Sequence, residues 1–122
     1  MPFRWAPREE QFPRPPELRI RVTVSRDRHT IYLAGELDVA SAPELKAVLG
    51  GIVLDASEVV IDLDDLTFID STGLTCILEC QESCRRSHTD FLLTPGTGQA
   101  RRLFDITGLL DRLPFVDSAE ST

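Results

Sequence analysis

The sequence predicts a single α/β domain, built on a central mixed sheet of four to five strands with helices packed mainly on one face. The chain has 122 residues, which is enough for one hydrophobic core but not for two. Segments with a two-residue apolar period alternate with segments whose apolar residues recur at helical spacing. Their order is strand, strand, helix, strand, helix, strand, helix, strand. Strands that are joined through a helix are parallel, so the later strands are expected to be parallel.

The N-terminal segment has a different composition from the rest of the chain. Residues 1–17 contain five prolines, which remove backbone donors and block regular structure, and their three Arg and three Glu cancel in charge. We therefore expect a disordered, proline-rich arm over residues 1–17. The domain is expected over residues 18–117, and a short polar tail over residues 118–122.

The first two strands are predicted as an antiparallel pair. In residues 18–24 apolar side chains alternate with Arg and Thr, which is typical of a half-buried strand with Val22 and Val24 on its buried side. Residues 30–37 form the second strand, after a turn near Asp27. Because the first strand lies at an edge, it can pair with a second chain, and a monomer or a weak dimer is expected.

A capping box predicts the start of the first helix. Ser41 is the expected N-cap, and Glu44 follows three residues later, where its side chain reaches back to the cap. Apolar residues then recur at helical spacing, so the helix runs from about Ala42 into the Gly50–Gly51 region.

The second half of the domain alternates strands and helices. The β-branched residues 59–63 predict a buried central strand, and a helix follows the Asp-Ser-Thr-Gly string and ends near Arg86. Residues 91–93 are the next strand. A third helix over residues 99–107 is expected to turn Leu103 and Ile106 inward, and residues 113–116 form the last short strand.

The net charge disfavours two classes of binding partner. Twenty Asp and Glu against 13 Lys and Arg give a net charge of −7, which disfavours general binding to nucleic acid or to anionic lipid.

No apolar run reaches the ~20 residues of a membrane span, and the N-terminus lacks the apolar stretch of a signal peptide. A cytoplasmic protein is expected.

The three cysteines predict a structural role. Cys76, Cys80 and Cys84 recur every four residues, so they share one stripe of the predicted helix. Their odd number and close spacing do not fit a disulfide framework, and neither a C-x₂-C pair nor a nearby His cluster supports zinc. We interpret them as small buried apolar residues and expect no metal site.

The segment around Ser71 carries the most functional information. Residues 55–70 contain six carboxylates and no Lys or Arg, and the central strand within them ends where open α/β sheets place their ligand sites. Ser71 then lies in the first turn of a helix, where free N–H groups and the helix dipole favour an anion. A phosphate on Ser71 is compatible with that position. It would lie beside Asp70 and close to the carboxylates of residues 62–65. The alternative is that Asp70 or Ser71 is only an N-cap.

Several strings together resemble the STAS-domain family, and more narrowly the bacterial anti-sigma factor antagonists. The strings are GELD at 35–38, SAPEL at 41–45, VIDL at 60–63, FIDSTGL at 68–74, RL at 102–103 and TGL at 107–109. They keep the order and spacing of the family from about residue 18 to residue 117. The resemblance implies a STAS-like domain that binds an anti-sigma factor, itself an ATP-dependent serine kinase, and thereby releases the sigma factor.

The resemblance also implies how the protein is switched. In the family the kinase phosphorylates the serine of the Asp-Ser-Ser/Thr-Gly motif, which inactivates the antagonist, and a PP2C-type phosphatase restores it. The position that matches this acceptor is Ser71, and Asp38 matches an acidic residue near it that helps to orient the hydroxyl or the partner. The implied partner-binding residues are Asp38, Asp70, Ser71, Thr72, Gly73 and Leu74.

Other functions have less support in the sequence. An enzyme needs a nucleophile–base pair or a metal constellation, and neither histidine falls in a catalytic string, so we expect no catalytic activity and no cofactor. The Pro-Gly-Thr-Gly loop at 95–98 lacks the Lys of a phosphate-binding P-loop. The alternative is a non-enzymatic STAS scaffold subunit of a signalling assembly or of a lipid-transport complex. Whether Thr72 is a second acceptor, and which sigma factor and stimulus are involved, stays open.

Overall fold

A computed structural model of the chain describes residues 17–118. Four strands and three helices follow one another in the predicted order, and a 3₁₀ turn comes after the last helix. The strands are β1 (Arg19–Ser25), β2 (Arg28–Leu37), β3 (Glu58–Ile69) and β4 (Asp90–Leu93). The helices are α1 (Ala42–Ile52), α2 (Ser71–Arg86) and α3 (Gly98–Ile106), with the 3₁₀ turn at Leu109–Asp111. The predicted α/β class is confirmed.

The four strands form one mixed sheet in the order β1-β2-β3-β4. β1 and β2 are antiparallel and are joined by a two-residue turn in which Arg26 adopts a left-handed conformation (φ 58°). β2 pairs with β3, and β3 with β4, in parallel. The predicted hairpin and the predicted parallel strands are therefore both present. The arm at 1–17 and the tail at 118–122 lie almost entirely outside the described residues and stay predictions.

Burial of the two sheet faces differs from strand to strand. On β2, Ile31, Leu33 and Leu37 are fully buried, whereas the intervening Tyr32 and Ala34 are only half-buried. On β3, residues 59–63 are all buried, so both faces of this strand are covered there. The largest fully buried side chains are Phe104, Ile31, Leu33, Leu37, Leu45, Ile61, Leu63, Ile69, Ile77, Leu93, Val59 and Val60.

The prediction that Val22 and Val24 are buried is wrong. Their side chains are 36% and 60% exposed, although Val22 pairs with the fully buried Ile31. β1 is an edge strand, and the helical layer does not cover its far end. Alternation in the sequence identifies a strand and its faces, but it does not show how far the covering layer extends.

The capping box predicted for α1 is also wrong, although the helix begins where expected. The Ser41 hydroxyl makes no cap bond to the helix; it donates to the Glu36 carbonyl at 2.8 Å and accepts from the Asp38 N–H at 3.0 Å. Asp38 stabilises the loop between β2 and α1 instead, because its Oδ1 accepts hydrogen bonds from the N–H groups of Ala40 and Ser41. An Asx turn three residues earlier thus replaces the predicted cap.

β3 is longer than the sequence predicts. It was expected over residues 59–63, yet it continues to Ile69, and its pairing with β2 shifts register twice, between Tyr32 and Ala34 and between Gly35 and Glu36. The acidic pair Asp64 and Asp65, which composition assigns to a loop, lies exposed at the first irregularity.

The C-terminal part departs from prediction in two ways. Residues 113–116 form no strand, only an isolated bridge between Phe115 and Leu93. On α3, Phe104 takes the buried position and packs edge-to-face on Phe115 (ring centroids 5.1 Å apart), so Leu103 is half-buried and Ile106 is 73% exposed. The larger aromatic side chain, one residue after Leu103, decides which face of the helix turns inward.

The three cysteines are free and buried, as the stripe predicts. Burial raises the pKa of the Cys84 thiol to about 11. A hydrogen bond between Cys76 and Cys80 raises the pKa of Cys80 and lowers that of Cys76. Within residues 17–118, no helix has the length and apolarity needed to cross a bilayer.

Burial predicts slow thiol chemistry in the native protein. At pH 8, a disulfide reagent that forms mixed disulfides is expected to label the three thiols roughly a hundredfold more slowly in the folded protein than in concentrated urea, because thiolates must first reach solvent. Rapid labelling of one thiol in buffer alone would contradict the buried arrangement.

Gly50 is a position at which replacement by alanine is expected to stabilise the protein. It lies in α1, is exposed, and a Cβ added there meets no atom within 4 Å. Gly50→Ala is therefore expected to raise the free energy of unfolding by about 0.5–1 kcal/mol, measured by urea denaturation. Gly35→Ala is the opposite control. Gly35 has φ +101° and its Cβ would lie on the Glu17 carbonyl oxygen, so a loss of about 2–4 kcal/mol is expected.

Candidate phosphoacceptor and docking site

Ser71 is the first residue of α2, and its side chain is exposed. A single residue, Asp70, separates it from the end of β3 at Ile69. The serine thus occupies the carboxyl edge of the parallel strands, as predicted. Its hydroxyl is accessible to a docking protein.

Asp70 caps the helix that Ser71 begins. Its Oδ1 accepts a hydrogen bond from the Gly73 N–H at 2.8 Å, and its carbonyl accepts from the Leu74 N–H at 2.8 Å. The N–H groups of Ser71 and Thr72 have no acceptor among residues 17–118, which leaves the positive end of the helix dipole beside the hydroxyl. The N-cap interpretation is therefore right for Asp70, and it leaves the Ser71 side chain free of a capping role.

Gly73 fixes the position of α2 against β2. A Cβ at Gly73 would lie 2.3 Å from the Leu37 carbonyl oxygen and 2.8 Å from a side-chain carbon of Ile69. The Asp70 N–H also points to the Leu37 carbonyl, at 3.4 Å. The helix start and the end of β2 are thus in direct backbone contact, and only glycine fits at this point of approach.

Asp38 directly follows Leu37, so the contact just described places its loop beside the start of α2. Its carboxylate hydrogen-bonds within its own loop, to the N–H groups of Ala40 and Ser41, and among the described residues it makes no hydrogen bond to Ser71. These bonds show that Asp38 shapes the neighbouring loop. Its role toward a partner stays a prediction.

The carboxylates of residues 62–65 are not beside Ser71. Because β3 extends to Ile69, about 3.3 Å of strand rise per residue puts Asp65 roughly 15–20 Å from Ser71. Asp62 is buried, and its Oδ1 accepts from the Asp64 N–H. The acidic groups next to Ser71 in the chain and across the β2 contact are Asp70 and Asp38.

Asp70 and Ser71, which connect β3 to α2, are called the acceptor loop here after the role predicted for Ser71. The other side of this loop is held by Gln99 of α3, which the sequence did not single out. Its Oε1 accepts from the Ile69 N–H at 2.8 Å, and its Nε2 donates to the Ile69 carbonyl at 2.7 Å. Ile69 also pairs with Leu37 of β2 on the other side. No local signal in the sequence marks such a long-range bond between a side chain and the backbone.

Exposed side chains on α2 and in the Asp38 loop extend the predicted surface around Ser71. Thr75 and Leu78 follow Ser71 on the exposed side of α2 at helical spacing, and Val39, in the loop after Asp38, is 70% exposed. Apolar groups of this kind, next to a polar centre, suit a protein interface. We call Val39, Ser71, Thr75 and Leu78 the docking face. The helical spacing from Ser71 was the available signal for Thr75 and Leu78.

Within residues 17–118, no three His, Cys, Asp or Glu residues lie close enough together to hold a metal ion. On either side of the Pro-Gly-Thr-Gly loop at 95–98, the Thr94 hydroxyl accepts from the Leu63 N–H, and the Gln99 carboxamide bonds to the backbone of Ile69.

Comparison with known proteins identifies the family. The family model of the STAS domain matches residues 19–122. This chain belongs to the STAS-domain family. It is 36% identical over 91 residues to an anti-sigma-B factor antagonist of Listeria monocytogenes, a match that covers 70% of this chain and 75% of that protein. Within the STAS family it therefore groups with the anti-sigma factor antagonists.

Solved structures agree with this assignment. An anti-sigma factor antagonist from Mycobacterium paratuberculosis superposes with a TM-score of 0.75 at 27% identity, covering 85% of this STAS domain protein and 89% of the other chain. The Bacillus cell fate determinant SpoIIAA in its phosphorylated form has a TM-score of 0.64 at 21% identity, covering 84% and 92% of the two chains. The second likeness shows the shared fold.

The cap on α2 predicts a graded effect of two substitutions. Asp70→Ala removes the acceptor of the Gly73 N–H, so the free energy of unfolding is expected to fall by about 1 kcal/mol. Asp70→Asn is expected to retain most of that energy, because asparagine caps as well as aspartate. Urea denaturation measures both variants, and equal losses would show that charge rather than capping matters here.

Proposed function

We propose that this protein binds an anti-sigma factor serine kinase through the docking face and so releases the sigma factor. The proposal includes the switch: the kinase inactivates the protein by phosphorylating Ser71, and a PP2C-type phosphatase restores it. Asp38, Asp70, Ser71, Thr72, Gly73 and Leu74 form the centre of the interface, and the protein itself is not an enzyme. The observation that carries the proposal is the exposed hydroxyl of Ser71 at the first residue of α2, in a chain of this family.

The position of Ser71 suits phosphoryl transfer. In the reaction its Oγ forms a bond to the γ-phosphorus of ATP, the bond to the β,γ-bridging oxygen breaks, and the hydroxyl proton passes to a base of the kinase. The product keeps the helix intact, because a phosphate at a helix start interacts favourably with the dipole. Phosphorylation therefore changes the surface without requiring a new fold. A phosphatase can reach the same exposed position.

The charge of the phosphate explains how binding is lost. It adds about −1.5 to −2 charges at pH 7, beside the Asp70 carboxylate. Among residues 17–118, no Lys or Arg forms an ion pair with the Asp70 carboxylate. In an interface that fits the unmodified hydroxyl, an uncompensated charge costs several kcal/mol, and ~3 kcal/mol is about a hundredfold in affinity.

Related proteins support both parts of the proposal. The Listeria and Mycobacterium proteins are named as anti-sigma factor antagonists, and SpoIIAA has been solved in a phosphorylated form. These are properties of those proteins, and they motivate the same assignment here.

A phosphorylation assay tests the acceptor. Candidate anti-sigma factor kinases are incubated with the purified chain and ATP, and the site is mapped by mass spectrometry. We expect one phosphate on Ser71, none on Ser71→Ala, and unchanged incorporation on Thr72→Ala. Phosphate on Thr72 of the wild-type chain would make Thr72 a second acceptor. Incorporation elsewhere with Ser71 unmodified would contradict the proposal.

A charge substitution tests the switch. Ser71→Asp is expected to bind the kinase at least about a hundredfold more weakly than the wild-type chain in calorimetry, because it places a carboxylate within the interface. Ser57→Asp is the matched control. Ser57 is exposed at the opposite end of β3, so the same charge there is expected to leave the affinity unchanged. Equal weakening by both variants would indicate net charge, not the Ser71 site. Co-purification with a transporter complex and no kinase would favour the scaffold alternative.

A further inference from the structure

β3 extends well beyond its neighbour β4. The β3–β4 pairing ends at Ile61 and Leu93, while β3 itself continues to Ile69. Over residues 62–69, β3 therefore has no strand partner on this side within the described part of the chain. Backbone N–H and C=O groups at such an edge need other partners or water.

The segment from Thr94 to Gln99 supplies those partners in place of a strand. The Thr94 N–H donates to the Ile61 carbonyl at 3.0 Å, and the Thr94 Oγ1 accepts from the Leu63 N–H at 2.8 Å. At the end of the edge, the Gln99 carboxamide binds both backbone groups of Ile69. A carboxamide carries one acceptor and N–H donors, so it reproduces the pairing that a neighbouring peptide group would make.

These bonds hold the residue from which the acceptor loop starts. Ile69 is paired with Leu37 on the β2 side and with Gln99 on the α3 side. Asp70 and Ser71 follow immediately, and Asp70 is in turn bound to Leu37. The backbone that carries Ser71 is thus fixed from two sides. Removal of the Gln99 bonds leaves only the β2 side.

We propose that Gln99 is a positioning residue for phosphorylation of Ser71: by completing the free edge of β3 at Ile69, it holds the acceptor hydroxyl where the kinase requires it. The inference rests on the proposed function, because it concerns the same serine. Gln99 does not touch the reacting atoms. It is an exposed residue, so its bonds compete with water and contribute to geometry more than to overall stability.

Phosphoryl transfer is sensitive to such geometry. The attacking oxygen must lie in line with the leaving group, and a misplacement of ~1 Å can cost about a hundredfold in rate. Loss of the Gln99 bonds leaves the β2 side of Ile69 in place, so we expect a displacement of Ser71 smaller than ~1 Å. We expect roughly a tenfold fall in kcat/KM, with most of it in kcat, because the docking face remains intact.

The experiment measures phosphorylation kinetics with the kinase that modifies wild-type Ser71. Gln99→Met removes both bonds at nearly constant side-chain length, and Gln99→Glu, the second variant, keeps the acceptor for the Ile69 N–H but loses the donor to its carbonyl. Amide hydrogen exchange gives a second readout. The Ile69 N–H is expected to exchange at least about tenfold faster in Gln99→Met and to stay protected in Gln99→Glu.

Thr89→Val is the matched control. The single proton of the buried Thr89 hydroxyl is shared among three backbone carbonyls, those of Val53 and Ala56 at 3.2 Å and that of Ser87 at 3.5 Å, at the end of the sheet opposite Ser71. The variant is expected to lower the free energy of unfolding while leaving kcat/KM for Ser71 unchanged. If Gln99 acted only through overall stability, Gln99→Met would behave like this control: the free energy of unfolding would fall and kcat/KM for Ser71 would stay unchanged.

The outcomes separate this inference from the proposed function. If the wild-type chain is phosphorylated on Ser71 and Gln99→Met has the same kcat, the positioning role is wrong and the proposed function stands. Equal kcat losses in Gln99→Met and Thr89→Val would also overturn it. If no kinase modifies wild-type Ser71, the proposed function fails and the positioning role fails with it.

Discussion

The approach of Gly73 to the Leu37 carbonyl is the contact on which the geometry of the site depends. A side chain at position 73 would lie within 2.3 Å of that oxygen. The first turn of α2 can therefore pack directly against the end of β2 only because this residue is glycine. The contact places Ser71 at the edge of the sheet and brings the Asp38 loop beside it. Backbone packing therefore fixes the relative position of the two elements that carry the docking face, α2 and the Asp38 loop.

Short-range patterns were sufficient for most of the fold. The hairpin of β1 and β2 and the stripe of buried cysteines follow from local periodicity and turn residues, and both are confirmed. The length of β3 was missed because Asp64 and Asp65 are unfavourable in strands, yet register shifts let the strand continue past them. Composition gives the average preference of a residue type for strands, whereas the length of an irregular strand depends on its pairing with the neighbouring strand.

The site shows the same division between local and long-range information. The position of Ser71 at a helix start, and a cap at Asp70 or Ser71, were predicted from the Asp-Ser-Thr-Gly string. Gln99 was not, because its partner Ile69 is 30 residues away and no pattern near Gln99 signals a backbone bond. The loop function of Asp38 was missed for a related reason, since Ser41 offers an equally plausible cap in the sequence.

The charge next to Ser71 bears on the proposed switch. Asp70 forms no ion pair with a Lys or Arg among residues 17–118, so no such pair neutralises its carboxylate. Asp70 instead uses its carboxylate to cap α2 and leaves negative charge beside the acceptor. The helix dipole offsets part of the added charge, at typically 0.3–1 kcal/mol, which is less than the cost of an uncompensated charge in an interface. In the proposed function, a phosphate on Ser71 is therefore tolerated by the free protein and disfavoured in the complex, and this difference would let one serine act as the switch.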